Sequence, residues 1–309
     1  MTRQSGRILV IRGGAIGDFI LTLPVLTALR AHLPQAHLTV LGYPHIAALA
    51  LAGGLAEEVH PIEARGLAAF FSAHAEPPPD LAAFFAGFAI IVSYLYDPDG
   101  IFQRNVRRCT GAVFIQGPHR PDDSGTIHAS EVFLGPLEQL AIFEADPVPR
   151  LRLSARPGPP STLALHPGSG SERKNWPEPR WAALLDRLAK RTDLRLLLIG
   201  GEAEGNRLER LSGRWPAERL ELARSLPLVQ LASRLATCHV FAGHDSGISH
   251  LAAALGRPGL VLWGATNAAV WRPRSEGIRL LQGPSGLDSI EVAEVEAALA
   301  DFLARAEGA

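Results

Sequence analysis

The apolar positions of this chain fall into short β-rich runs that alternate with stretches of helical spacing. Residues 7–12 (RILVIR), 37–42 (HLTVLG), 58–62 and 88–94 (FAIIVSY) predict strands. So do residues 112–115, 162–166 (TLALH), 194–199 (LRLLLI), 220–222, 240–242 and 260–263. Runs that are short and apolar throughout, rather than alternating, suit strands buried on both faces. Between them, residues 127–143, 179–191, 227–236 and 292–305 read as helices, and another is expected from Asp18 to about Leu33. Ile248, Leu251, Ala252 and Leu255 also recur at helical spacing, with Gly256 as the stop. Pro24 falls inside the first helix and predicts a kink near its start. Residues 67–88, rich in Ala and Phe and broken by Pro77-Pro78-Pro79, read either as a loop or mobile helix pair or as an ordinary buried helix.

Strands therefore alternate with helices through both halves. The fold class this predicts is α/β: two Rossmann-like, doubly wound parallel sheets facing each other across a cleft. The only clear linker is residues 154–161 (SARPGPPS), whose Pro and Gly resist regular structure. It divides the chain into domains 1–155 and 156–309, and 309 residues suffice for two such domains.

Composition narrows the function classes. With 47% hydrophobic residues both halves can bury a core, and the net charge of −1 gives no overall basic excess that would point to nucleic acid. Two cysteines, Cys109 and Cys238, are too few for a disulfide framework or a Cys-rich zinc site, and fit a reducing cytoplasm. The opening residues, MTRQSGRILVIRGGAIGD, contain no uninterrupted apolar core, so no signal peptide is expected. No apolar run reaches the ~18 residues of a membrane span. Association with a membrane surface is compatible with all of this.

The candidate chemistry gathers in glycine-containing loops that follow strands, which is where doubly wound sheets bind ligands. Residues 239–265 read strand, polar loop, helix, strand. The loop His244-Asp245-Ser246-Gly247 opens the helix, so free amides and the helix dipole favour an anion there. Ser246 and Gly247 are the expected amide donors to a diphosphate. Asp245, sitting among groups proposed to bind an anion, is expected to orient the loop or bind a sugar hydroxyl. His250 stands off the apolar face of its helix and is either a phosphate donor or structural. In the loop 167–175 (PGSGSERKN), Lys174 is the best cation for a diphosphate, against the alternative of a solvated surface Lys. Arg173 is adjacent to it, and Ser169 is either a hydroxyl donor or a turn residue.

In the first half, residues 13–18 (GGAIGD) repeat the strand–glycine loop–helix pattern without being GxGxxG, which weakens a dinucleotide-binding reading. Asp18 is positioned either as a general base or as a plain N-cap. Arg104, Arg107, Arg108 and Arg120 form a basic cluster that suits an anionic acceptor or is simply a solvated face. Asp97-Pro98-Asp99-Gly100 mimics an Asp-x-Asp metal motif but is also a good turn, and the turn is preferred. No His, Cys and carboxylate set has convincing metal spacing.

Four segments together resemble glycosyltransferase family 9, the ADP-heptose:lipopolysaccharide heptosyltransferases. They are residues 13–26 (GGAIGDFILTLPVL), 166–181 (HPGSGSERKNWPEPRW), 200–204 (GGEAE) and 243–267 (GHDSGISHLAAALGRPGLVLWGATN). The resemblance implies a GT-B fold, an ADP-sugar donor, inversion at the anomeric carbon and no required metal or other cofactor. It implies Asp18 as general base, Lys174 at the diphosphate and Glu204 as a ribose-binding carboxylate, the alternative for Glu204 being a first-turn residue that favours the helix dipole. It also places His128 and Glu131 where the family often has a His-x-x-Glu pair, in domain packing or acceptor contact.

The implied acceptor is a lipopolysaccharide-core-like glycolipid or oligosaccharide, met at the inner face of the cytoplasmic membrane by a peripheral enzyme. Two loops depart from the family pattern. Asp245-Ser246-Gly247 stands where Asp-Thr-Gly is usual, and Gly264-Ala265-Thr266-Asn267-Ala268 where Gly-Pro-Thr-Asp-Pro is usual. Residues 65–125, on the acceptor side in the family, match poorly. A nucleotide-sugar epimerase or a non-catalytic nucleotide-sugar-binding protein on the same scaffold are the competing readings. An epimerase needs acid and base groups on both faces of the sugar, and only Asp18 is evident.

Overall fold

The structure, a computed structural model, describes residues 6–74, 76–154, 161–201 and 205–307. It divides into two compact units, Met1–Leu151 and Arg152–Ala309. The linker read at 154–161 falls mostly on residues 155–160, outside the described residues.

The first unit runs β1 (Arg7–Arg12), α1 (Ile16–His32), β2 (His37–Gly42), α2 (Pro44–Ala52), β3 (Glu58–Pro61), α3 (Pro79–Ala86), β4 (Ile90–Ser93), α4 (Ile101–Cys109), β5 (Val113–Gln116) and α5 (Ala129–Leu134). Its five strands are all parallel in the order β3-β2-β1-β4-β5. Chain order reverses between β1 and β4, which is where such a sheet opens a ligand crevice at its carboxyl edge. Leu9, Ile11 and Phe114 of the sheet pack with Phe70, Phe85 and Phe102 in its core.

The Ala- and Phe-rich stretch is not one continuous buried helix. It forms a 3-10 turn, Arg65–Phe71, followed by α3, and it supplies Phe70 and Phe85 to this core. The single helix expected over 127–143 is instead α5 followed by a 3-10 turn, Gly135–Leu140, because Gly135-Pro136 interrupts the helical ladder. Helix α1 continues through Pro24 to His32.

The second unit runs β6 (Thr162–Leu165), α6 (Glu178–Arg191), β7 (Arg195–Gly200), α7 (Arg207–Ser212), β8 (Leu220–Arg224), α8 (Leu228–Leu235), β9 (Val240–His244), α9 (Gly247–Ala254), β10 (Gly259–Leu262), α10 (Ala268–Trp271), β11 (Ile278–Leu281) and α11 (Val292–Glu307). Its sheet is also wholly parallel, in the order β11-β10-β9-β6-β7-β8. Here the order reverses between β6 and β9. Leu163, Leu165, Leu198, Val240 and Leu262 pack with Trp176, Trp181, Val295 and Leu299 in its core. Gly256 ends α9 region with φ +71°, as expected of a helix stop. Among the described residues no helix is long and apolar enough to cross a membrane.

Candidate functional site

In the first unit the chemistry sits at the carboxyl ends of β1, β4 and β5, three neighbouring strands. Strand β1 is apolar and buried from Ile8 to Ile11 and ends on Arg12, which is only 3% exposed. A buried guanidinium needs partners for its donors. Arg12 Nη1 donates to the His119 carbonyl at 2.9 Å and Nη2 to Asp18 Oδ1 at 3.3 Å. Its cation lies 4.4 Å from the Phe133 ring centroid. Burial lowers the guanidinium's pKa from its ordinary value, and the Asp18 charge opposes that.

The loop after β1 then makes its turn at Gly14, with φ +97°. Helix α1 begins at Ile16 with Ala15 as N-cap, so Asp18 is not the N-cap it was expected to be as an alternative to a base. It occupies the third helical position and reaches back, Oδ2 accepting from the Ala15 amide at 3.0 Å. Each Asp18 oxygen therefore has one fixed donor, and the side chain stays 29% exposed. The carboxylate is thus oriented and still partly accessible.

The expected basic cluster does not form a single patch. Arg107 and Arg108 lie in the last turn of α4, which leads to the amino end of β5 and so lies at the opposite edge of the sheet from Asp18. Arg104 donates to the Asp99 carbonyl, and Arg120, after β5, pairs with Asp123 at 2.8 Å. Asp97 uses both carboxylate oxygens on the amides of Phe102 and Gln103, capping α4, which is the turn reading of that motif. His128 likewise caps α5, its Nδ1 accepting from the Ser130 amide, and is 6% exposed.

In the second unit the candidate residues do converge, around Asp245. Its Oδ2 accepts from Lys174 Nζ at 2.7 Å and from Thr266 Oγ1 at 2.6 Å. Lys174 follows β6, Asp245 follows β9 and Thr266 follows β10. One carboxylate thus ties together the loops of three adjacent strands across the point where strand order reverses. Trp263 Nε1 holds the Thr266 carbonyl at 2.7 Å, fixing the third loop. An ammonium has three donors, and the Asp245 bond uses one.

Ser246 is the N-cap of α9. The Ser249 and His250 amides bond back to the Ser246 carbonyl, leaving the Gly247 and Ile248 amides as the first-turn donors without a helical acceptor. Ser246 Oγ lies 3.3 Å from His166 Nδ1 and 3.4 Å from Ser249 Oγ. Ser169 is 7% exposed and closes its own turn, donating to the Ser171 carbonyl and accepting from the Ser171 amide. His250, expected to stand off the apolar face, is instead 6% exposed, because α9 is covered on nearly every side. Glu204 lies within residues 202–204, outside the described residues.

Two residues that the sequence pattern did not single out organise these loops. Arg12 is one. The other is His244, whose Nε2 accepts from the Trp176 amide at 2.7 Å while Nδ1 faces the Gly168 carbonyl at 3.4 Å. An amide can only donate, so His244 is neutral with its proton on Nδ1. Burial pushes its pKa down to about 3. It pins the Lys174 loop at both ends. A polar residue at the carboxyl end of a buried apolar run, Arg12 after Ile8–Ile11 and His244 in VFAGH, is the signal that marks both.

Residues 147–287 match the family model for glycosyltransferase family 9 (heptosyltransferase). Three of the four segments that carry the resemblance lie inside that span; residues 13–26 lie outside it. The chain is 40% identical over 116 residues to lipopolysaccharide heptosyltransferase 1 of Pseudomonas aeruginosa, a match covering 37% of this chain and 31% of that one. This chain thus aligns with about a third of the length of the curated relatives it matches.

Among solved structures, a family 9 glycosyl transferase from Veillonella parvula superposes with a TM-score of 0.79 at 19% identity, covering 99% of each chain. The E. coli heptosyltransferase WaaC with ADP-2-deoxy-2-fluoro heptose gives 0.75 at 20% identity, covering 96% of this chain and 99% of that one. The fold class is therefore that of these GT-B proteins, and the resemblance to family 9 holds.

Proposed function

We propose that this chain is a glycosyltransferase of the family 9 type that moves a heptose, or a related sugar, from an ADP-sugar to a lipopolysaccharide-core-like acceptor. The observation that carries the reading is the Asp245 node. It joins three loops inside the family-matched region at the switch point of the second sheet, beside the open first turn of α9. The relatives support the donor and acceptor classes, since one is a lipopolysaccharide heptosyltransferase and another was solved with an ADP-heptose analogue.

In this reading the diphosphate lies on the Gly247 and Ile248 amides and takes the remaining donors of Lys174. Asp18 takes the proton of an acceptor hydroxyl, and the oxygen forms a bond to the anomeric carbon on the face opposite ADP. The bond from that carbon to the β-phosphate oxygen breaks, ADP leaves with the electron pair, and configuration inverts. Charge developing on the leaving oxygen is offset by Lys174 and the helix amides. A diphosphate leaves readily without protonation, so one carboxylate suffices and no metal is required. The protein works in the cytoplasm, meeting a lipid-linked acceptor at the inner membrane face.

The test is twofold. Calorimetric titration with ADP, UDP and NAD is expected to give ADP the highest affinity, unchanged by EDTA. Incubation with ADP-heptose and a heptose-free lipopolysaccharide core is expected to add one heptosyl residue by mass spectrometry. Preference for UDP or NAD, affinity lost with EDTA, or an acceptor of unchanged mass contradicts the proposal.

A further inference from the structure

Tyr96 is 65% exposed, unusually open for a tyrosine on a well-packed domain. It is nevertheless held in place. Gln116 Nε2 donates to the carbonyls of Leu95 and Gly117, both at 2.9 Å, tying the loop after β4 to the loop after β5. On its other side Asp97 is committed to the amides of α4. The Tyr96 ring meets the His119 ring at a centroid distance of 4.7 Å and an interplanar angle of 65°. Rings that meet edge-to-face form a corner, so His119 leaves at least one face of Tyr96 uncovered. His119, in turn, is fixed through its carbonyl by Arg12 Nη1, and the other arm of that guanidinium holds Asp18.

The geometry points to Tyr96 and His119 as a stacking ledge for a sugar ring of the acceptor. The inference rests on the transferase reading above, in which whatever Asp18 deprotonates must lie beside it. The ledge stands at the same carboxyl edge, on the strand next to β1 across the reversal of strand order, one guanidinium away from Asp18. A pyranose offers a face of C–H groups with slight positive charge, and an aromatic face carries negative charge density. The ledge is the size of one ring rather than of a protein interface. Asp99 and Arg120, on the same two loops, are polar groups suited to ring hydroxyls. Because both loops are already tied, binding orders little, which favours affinity.

The probe is a deacylated, heptose-free lipopolysaccharide core oligosaccharide, titrated into the full chain carrying ring-labelled tyrosine. There are three tyrosines, Tyr43, Tyr94 and Tyr96. Tyr96 is therefore assigned by its absence in Tyr96→Phe. The Tyr96 ring resonances are expected to move on titration. Tyr96→Ala is expected to weaken oligosaccharide binding by roughly threefold to tenfold, Tyr96→Phe to retain it, and ADP affinity to be equal in all three proteins. Tyr96 resonances that stay still at saturation, no binding by the wild type, or Tyr96→Ala binding as well as wild type overturns the ledge. Binding on Tyr96 without heptosyl transfer supports the ledge and defeats the transferase reading. Normal transfer by Tyr96→Ala with an unchanged acceptor KM does the reverse.

Discussion

Lys174 Nζ and Asp245 Oδ2 lie 2.7 Å apart although 71 residues separate them. The lysine is 43% exposed and the carboxylate 10%. The ion pair thus presents its cationic half outward and keeps its anionic half under cover, so the exposed donors of the ammonium are the ones an incoming anion meets. Lys174→Ala is expected to weaken ADP binding about tenfold to a hundredfold, the loss of a charge-assisted hydrogen bond to phosphate. Titration calorimetry reads it, and an unchanged affinity removes Lys174 from the donor site.

Arg12 acts through what it holds. Arg12→Lys keeps the charge but loses the planar fork, so the His119 carbonyl and the Asp18 carboxylate are no longer held by one rigid group. The expected result is a kcat lowered about tenfold with ADP affinity intact, since misplacing a reacting group by a fraction of an ångström is costly. A kcat equal to wild type contradicts the positioning role.

Gly14 has two independent reasons to be glycine. Its φ of +97° disfavours any L side chain, and an added Cβ lies 2.9 Å from Asp18 Oδ2. Gly14→Ala is expected to cost about 1–3 kcal/mol of stability from backbone strain. It also displaces the carboxylate, so turnover falls beyond what reduced folding explains. Denaturant melts and kinetics on the folded fraction separate the two effects.

The neutral, buried His244 gives a pH dependence with a definite sign. Its folded pKa is about 3 and its unfolded value near the ordinary 6.5. Between these values only the unfolded chain binds the proton. The group's stabilising contribution is full above pH ~6.5 and is lost progressively as pH falls toward 3, by up to ~1.4 kcal/mol per pH unit. His244→Gln, which cannot titrate, is expected to be less stable at pH 7 and to show a flatter decline from pH 6 to 4. Parallel slopes for the two proteins contradict the assignment.

Local patterns were legible in the chain, and distant partnerships were not. Apolar runs such as RILVIR and LRLLLI announce buried parallel strands because both faces are covered, and the glycine loops after them mark the carboxyl edges. Helix α4 escaped notice because RNVRR reads as polar, although Phe102, Asn105 and Val106 form a buried stripe at helical spacing. Helix α2 was also missed, as was β11, a short half-buried edge strand. Asp18 was placed at the right loop but not at the right helical position, since nothing local distinguishes a cap from a residue that reaches back to one. The reach of Arg12 to His119, 107 residues away, and of Asp245 to Lys174 and Thr266 depends on strand order, which periodicity alone does not encode.

The most direct measurement is the turnover of Asp18→Asn with ADP-heptose and a heptose-free core acceptor, followed by the anomeric configuration of the wild-type product. The substitution keeps the shape and removes the proton acceptor. The account predicts a kcat lowered about a hundredfold or more with donor affinity nearly unchanged, and a wild-type product of inverted configuration. Wild-type kcat in Asp18→Asn, or a product of retained configuration, contradicts it.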